Sequence, residues 1–245
     1  MNLPISVPDP SAVDVEVWWT APDPSDAALS LLDEVERGRH DRYIRAEDRA
    51  RFRTARALAK NLLARRVGVQ PGDIRLDSTC ECGQPHGKPR LVGSGLELSI
   101  SHSGDWIVVA VTAGSPVGVD VERSPTGTMA GGMLEATLSP RELASLRSLS
   151  EAGRDEAFLA YWTRKEALLK ATGEGLATPM PGITVTGPTE RARLLDPGES
   201  TADPRRIRMA DLGARPGYRA CVAVLTTGEL RVSERDADLA TVPAE

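Results

Sequence analysis

The run Val117-Gly118-Val119-Asp120-Val121-Glu122 alternates apolar and polar residues without a break. Strand side chains point to opposite faces in turn. As a strand, the run gathers Val117, Val119 and Val121 on one face and Gly118, Asp120 and Glu122 on the other. The two carboxylates then stand roughly 7 Å apart on the same face. Gly118 removes bulk beside them, which is expected to let a ligand approach. Some forty residues on, Trp162-Thr163-Arg164-Lys165-Glu166-Ala167-Leu168-Leu169-Lys170 reads as a helix, with Glu166 and Lys170 neighbours at i and i+4. Trp162 shares their face, and its packing is expected to draw Glu166 to an edge or cleft. If this helix packs beside the strand, three carboxylates and an ammonium converge. Three oxygen donors suit a hard cation such as Mg²⁺, and a lysine beside it suits phosphate. The combination points to chemistry on a phosphate ester or pyrophosphate.

A chain of 245 residues can bury a substantial core, as one large domain or two small ones. No apolar run is long enough to span a bilayer, so no membrane partner is expected. Met1-Asn2-Leu3-Pro4-Ile5 lacks the basic and apolar regions of a signal peptide, and three cysteines cannot make a full disulfide framework. A reducing cytoplasm is the expected location. The net charge of −5 argues against general nucleic-acid binding, but Arg37 to Arg66 holds eleven Arg or Lys and three Asp or Glu, a local +8. Such a segment can receive a polyanion, although charge alone favours a solvated helix face.

Val13, Val15 and Val17 alternate with Asp14 and Glu16 and lead into Trp18-Trp19, predicting a first strand ended by Pro22 and Pro24. Leu29, Leu32 and Val35 suggest a short helix. A longer one is predicted from about Asp48 to Val67, with Phe52, Ala55, Ala59, Leu62 and Leu63 as its apolar stripe. Arg49, Arg53, Arg56 and Lys60 fall on its other faces, and Gly68 stops it. Leu96 to Ser101 and Trp106 to Thr112 read as strands joined by a hairpin at Ser103-Gly104-Asp105. Ser124 to Leu138 reads as a flexible segment. Ser139-Pro140-Arg141-Glu142 has the capping-box pattern that starts a helix, and another runs from about Asp155 to Ala171 before Gly173. Ile183 to Val185, Tyr218 to Thr226 and Leu230 to Val232 supply later strands, and the last dozen residues are expected to fray. This order suggests two halves of similar plan, 1–115 and 116–245, joined near Ser115.

Ser101-His102-Ser103-Gly104 ends a strand where donors can surround an anion. Gly87-Lys88-Pro89 presents one ammonium on a rigid loop. Each also has a plain structural reading. Cys80, Cys82 and His86 are spaced more tightly than a zinc site and lack a fourth ligand unless Cys221 supplies it. No Gly-x-Ser-x-Gly elbow supports a serine hydrolase.

Taken in order, Gly87-Lys88-Pro89, Ser101-His102-Ser103, Gly118-Val119-Asp120-Val121-Glu122, Leu138-Ser139-Pro140-Arg141-Glu142, Trp162-Thr163-Arg164-Lys165-Glu166-Ala167 and Lys170 with Gly173-Glu174-Gly175-Leu176 resemble the 4′-phosphopantetheinyl transferases of the surfactin (Sfp) type. The resemblance covers about residues 39–176. It implies an α+β monomer of two pseudo-symmetric halves with the active site at their interface. It implies transfer of the phosphopantetheine arm of coenzyme A to a serine of an apo acyl or peptidyl carrier protein, as in polyketide or nonribosomal peptide synthesis, leaving adenosine 3′,5′-bisphosphate. By that analogy Asp120, Glu122 and Glu166 hold Mg²⁺, or Mn²⁺ in its place, and Lys170 contacts the phosphates and assists the leaving group. Ser101 and His102 bind nucleotide phosphates, and Lys88 and Arg53, with Arg39, meet the 3′-phosphate. Glu166 is the candidate base. Met133 to Leu138 lacks the aromatics such enzymes often carry near the expected carrier-docking segment.

Overall fold

The computed structural model of the protein describes residues 12–80, 83–85, 87–124, 132–213 and 215–237. Strand β1 (Ala12–Thr20) is followed by helices α1 (Glu34–Asp41) and α2 (Ala46–Val67), then by strands β2 (Leu96–Ser103), β3 (Trp106–Ala113) and β4 (Val117–Arg123). Helices α3 (Met133–Thr137), α4 (Pro140–Arg147) and α5 (Glu151–Thr172) come next. Strands β5 (Thr184–Val185), β6 (Leu194–Asp196), β7 (Ile207–Asp211), β8 (Tyr218–Leu225) and β9 (Glu229–Asp236) complete the order.

Each half lays a 22-residue helix on a sheet. The first sheet has the order β2-β3-β1-β9, and the second has β4-β8-β7. β3 is apolar but for Thr112 because both its faces are covered. Ile107, Val109 and Val111 meet Leu58, Leu62 and Leu63 of α2, while Val108 and Ala110 turn the other way. There they join Val15, Val17 and Trp19 of β1 against Val117, Val119 and Val121 of β4, so the predicted valine face glues the two sheets together. The opposite face of β4 lies under α5. Both long helices end at a left-handed glycine, Gly68 with φ 72° and Gly173 with φ 83°. Ser139 and Glu142 form both bonds of the predicted capping box.

The outer edges of the sheets meet where β2 runs beside β4. Ser99, Ser101 and Ser103 accept the backbone N–H groups of Val119, Val121 and Arg123 at 3.0, 3.4 and 3.2 Å. Alternate hydroxyls thus stand in for a backbone ladder, and the seam between the halves is polar.

Several expectations change. Arg53, Arg56 and Lys60 are buried rather than solvated, because α1 and the loop before it cover that side of α2. Lys60 Nζ donates to Glu36 Oε2 at 2.6 Å and to Leu31 O at 2.8 Å. The short helix expected near Leu29 divides into a 3₁₀ turn, Ala27–Leu31, and α1, which is capped by Asp33. Met133–Thr137 is helical inside the segment read as flexible, while its residues 125–131 lie outside the described ones, as do the last eight residues. β9 pairs in parallel with β1, Val15 opposite Val232, and so belongs to the first sheet rather than the second half. Neither β6 nor β7 is visible in the sequence pattern, since both are short strands without strict alternation.

Candidate functional site

A cleft of about 800 Å³ opens at the seam. Its walls come from α2, the Gly87–Pro89 loop, β2, β4, α5 and the Gly173–Ala177 turn. Asp120 and Glu122 project from β4, and Trp162, Glu166 and Lys170 face them from successive turns of α5. A Cβ on Gly118 would lie 2.0 Å from Ala167 O and 2.4 Å from Ala171 N. Gly118 therefore admits the helix backbone, not a ligand. That close approach brings Glu166 and Lys170 to the strand.

Lys170 Nζ donates to Asp120 Oδ1 at 2.5 Å and to Ser101 Oγ at 3.1 Å, and Ser101 Oγ donates to the same Asp120 oxygen at 2.8 Å. The lysine thus pairs with Asp120 rather than with Glu166. Ser103 Oγ donates to Glu122 Oε2 at 2.8 Å. Among the described residues no hydrogen bond or ion pair reaches Glu166. Asp120 Oδ2 is a buried acceptor without a partner. Burial raises the Asp120 carboxyl against the pull of Lys170. Glu122 is pushed up to about 7, first by burial and then by the charge of Asp120. Glu166 is raised by burial and by Asp120, against the pull of Lys170. This is a carboxylate cluster short of positive charge. It is not a finished cage: no three His, Cys, Asp or Glu side chains of the described residues stand ready around a cation. Mg²⁺ ordinarily takes one or two carboxylates and completes its shell with water and phosphate oxygens, so the arrangement fits such an ion arriving with a polyphosphate.

Basic side chains also line the cleft. Arg39 and Arg56 place their guanidinium carbons 5.5 and 5.3 Å from the Phe52 ring centroid, and both line the cleft with Lys88 and His102. Arg56 Nη1 is a buried donor without a partner. Lys88, 3.5 Å from Glu97, has its pKa lowered by burial. Partial desolvation beside the cleft lowers the pKa of the exposed His102 ring, and the positive charges of Arg51 and Lys170 lower it further. Ser101 lines the cleft but spends its hydroxyl proton on Asp120. Arg53 does not line the cleft. Its guanidinium donates to Asp23 O and Pro24 O and pairs with Asp26 at 3.4 Å. Arg56, rather than Arg53, is the α2 arginine that lines the cleft. The signal was there, because Arg56 stands four residues after Phe52 on one helix face whereas Arg53 is a quarter-turn away.

Two charged residues of the Trp162–Lys170 motif are scaffolding. Arg164 is buried and donates to Asp211, Thr186 O, Gly187 O and Glu190 O. Lys165 donates to Thr137 O at 2.7 Å and Met180 O at 3.0 Å, and pairs with Glu142 at 2.5 Å. Trp162 packs its ring 5.9 Å from Phe158 and borders the cleft. Cys80 also borders it, Cys221 is buried in the core under α5, and Cys82 and His86 lie outside the described residues.

The family model described as 4′-phosphopantetheinyl transferase, N-terminal, matches residues 16–114. The model of the 4′-phosphopantetheinyl transferase superfamily matches residues 116–223. The 4′-phosphopantetheinyl transferase HetI of a Nostoc strain is 33% identical over 186 residues, covering 74% of this chain and 78% of that protein. A 4′-phosphopantetheinyl transferase of Bacillus subtilis is 28% identical, covering 65% of this chain and 68% of its own. That of Aneurinibacillus migulanus is 30% identical, covering 57% and 55%. No helix among the described residues is long and apolar enough to cross a membrane. With both halves matched in order and a phosphate-ready cleft between them, the chain belongs to the 4′-phosphopantetheinyl transferase superfamily and transfers 4′-phosphopantetheine to carrier proteins.

Proposed function

We propose that the donor is coenzyme A, that the acceptor is a serine of an apo acyl or peptidyl carrier protein, and that the reaction depends on Mg²⁺. The observation that carries this reading is the polarity of the cleft. Arg39, Arg56, Lys88 and His102 line it together with Asp120, Glu122, Glu166 and Lys170, so that basic groups and a carboxylate cluster share one cleft. A ligand with a 3′-phosphate at one point and a pyrophosphate further along matches both. Its volume, about 800 Å³, suits a nucleotide carrying a long arm.

Asp120, Glu122 and Glu166 are the residues that would hold Mg²⁺, the unpartnered Asp120 Oδ2 offering a ready lone pair. When bound, Mg²⁺ would offset negative charge on the pyrophosphate. The serine hydroxyl attacks the phosphorus that carries the pantetheine arm. A new P–O bond forms, the bond to the bridging oxygen breaks, and adenosine 3′,5′-bisphosphate departs with the electron pair. Lys170, already aimed at Asp120 and Ser101, stabilises charge that grows on the leaving oxygen. Glu166 accepts the serine proton. Its lack of any hydrogen bond among the described residues leaves a carboxylate oxygen for that task. Both walls come from one chain, which supports a working monomer.

Apo carrier protein incubated with coenzyme A, Mg²⁺ and the enzyme should gain the mass of one phosphopantetheine. Glu166→Gln should lower this transfer at least about 100-fold without lowering thermal stability, since proton transfer by a positioned group typically contributes that much. No mass gain on any of several carriers would refute the reading. Near-normal turnover in the Gln variant would remove Glu166 as the base.

A further inference from the structure

The three acids of the cleft are held very differently. Asp120 is fixed by Ser101 and Lys170, and Glu166 stands free. Glu122 has a longer side chain than Asp120, and among the described residues no cation forms an ion pair with it. Arg219, directly across the ladder, is paired with Glu156 on α5, and Arg123 turns to Asp105 at 3.8 Å. Among the described residues, what holds Glu122 is one hydroxyl. Ser103 Oγ donates to Glu122 Oε2 at 2.8 Å and is itself held by the Arg123 N–H at 3.2 Å. The serine is tethered at both ends, so it transmits the position of the β2 edge to the carboxylate. Oε1 is left without that bond and open to a ligand.

We propose that Ser103 is a positioning residue that sets Glu122 for the divalent cation. This inference rests on the cation reading above. An outer residue that orients a ligating carboxylate acts by removing rotamers that cannot bind, so its loss appears in metal affinity before it appears elsewhere. Ser103 closes the Ser101-His102-Ser103 run, and strand alternation puts its hydroxyl on the β4 side with Ser101, and the His102 ring on the other.

The test is Mn²⁺ binding to the full chain in the presence of coenzyme A, followed by electron paramagnetic resonance. Ser103→Ala should weaken Mn²⁺ binding about ten-fold, as for other outer-sphere partners of metal ligands. Coenzyme A affinity measured without metal should stay unchanged, and Ser103→Thr, which keeps the hydroxyl, should restore Mn²⁺ binding. In a Glu122→Gln background, loss of the Ser103 hydroxyl should bring no further weakening, because coupled residues are not additive. Equal Mn²⁺ affinity in wild type and Ser103→Ala overturns the inference. So does an undiminished effect in the Gln background, which would mean that the serine only braces the seam. Absence of Mn²⁺ binding by the wild-type chain would instead overturn the cation reading, and this inference with it.

Discussion

Glu122 shows how the setting of a single residue becomes a property of the enzyme. Burial and the charge of Asp120 push its carboxyl from 4.5 up to about 7. A folded-state value above the unfolded one means that the native state binds the proton more tightly. Its stabilising contribution is present in full below about pH 4.5 and is lost as pH rises through about 7. A divalent cation held there as proposed would compete for the same carboxylate in the ionised form. Thermal unfolding with and without Mg²⁺ should therefore show a larger metal-induced rise in Tm at pH 8 than at pH 5.5. An equal rise at both values would mean that Glu122 does not contribute to binding. The Arg53 and Arg56 pair is the counterpart among the basic residues. Both were legible as cations on one basic helix, but which of them faces the cleft was not. Three residues, a net rotation of roughly 60° about the helix axis, separate a guanidinium stacked on Phe52 from one buried against Pro24.

Helix α5 works as a rod with two loaded sides. Trp162, Glu166 and Lys170 face the cleft, while Arg164 and Lys165 pin the rod to the loops behind it. Gly118 sets how close the rod lies to β4. In Gly118→Ala the new methyl group would meet the Ala167 carbonyl, a backbone atom that cannot swing aside. Overpacking of this kind costs about 1–3 kcal/mol, and the helix must shift to relieve it. Turnover should then fall more than stability, as Glu166 and Lys170 leave their places. Urea unfolding together with kcat decides this, and a variant with unaltered turnover would contradict it. Lys165→Met should act the other way, on stability first. It strands Glu142, which is only 1% exposed, without its cation, at a cost of about 3–5 kcal/mol. The Ser139 and Val185 N–H groups also donate to Glu142, each at 2.8 Å, and an unchanged urea midpoint would show that they satisfy it without the lysine.

At the scale of the whole molecule, the halves are not separable pieces of chain. β9 leaves the second half, runs parallel to β1, and closes the first sheet. Glu234 accepts from Trp19 Nε1 at 2.9 Å, and Asp236 pairs with Arg215, which stacks over Trp19 and Trp106. A chain ended after Gly228 should lose about 10 °C or more in Tm, since β1 becomes an exposed edge and several kcal/mol of contacts vanish. A truncated chain that melts with the full one would show β9 to be dispensable.

Local pattern determined a good deal by itself. Alternation placed Asp120 and Glu122 on one strand face, helical spacing placed Glu166 and Lys170 on one helix face, and Ser139 with Glu142 announced a helix start. These rest on periods of two and 3.6 residues and on contacts within four residues, so they survive without knowledge of the fold. The order of the motifs was enough to point to phosphopantetheinyl transfer. Only the tertiary structure decided that Gly118 serves the helix, that Lys170 pairs with Asp120, that Arg56 rather than Arg53 meets the cleft, and that β9 crosses to β1. Each of these depends on a surface supplied from another part of the chain, and sequence periodicity carries no information about which surface that is.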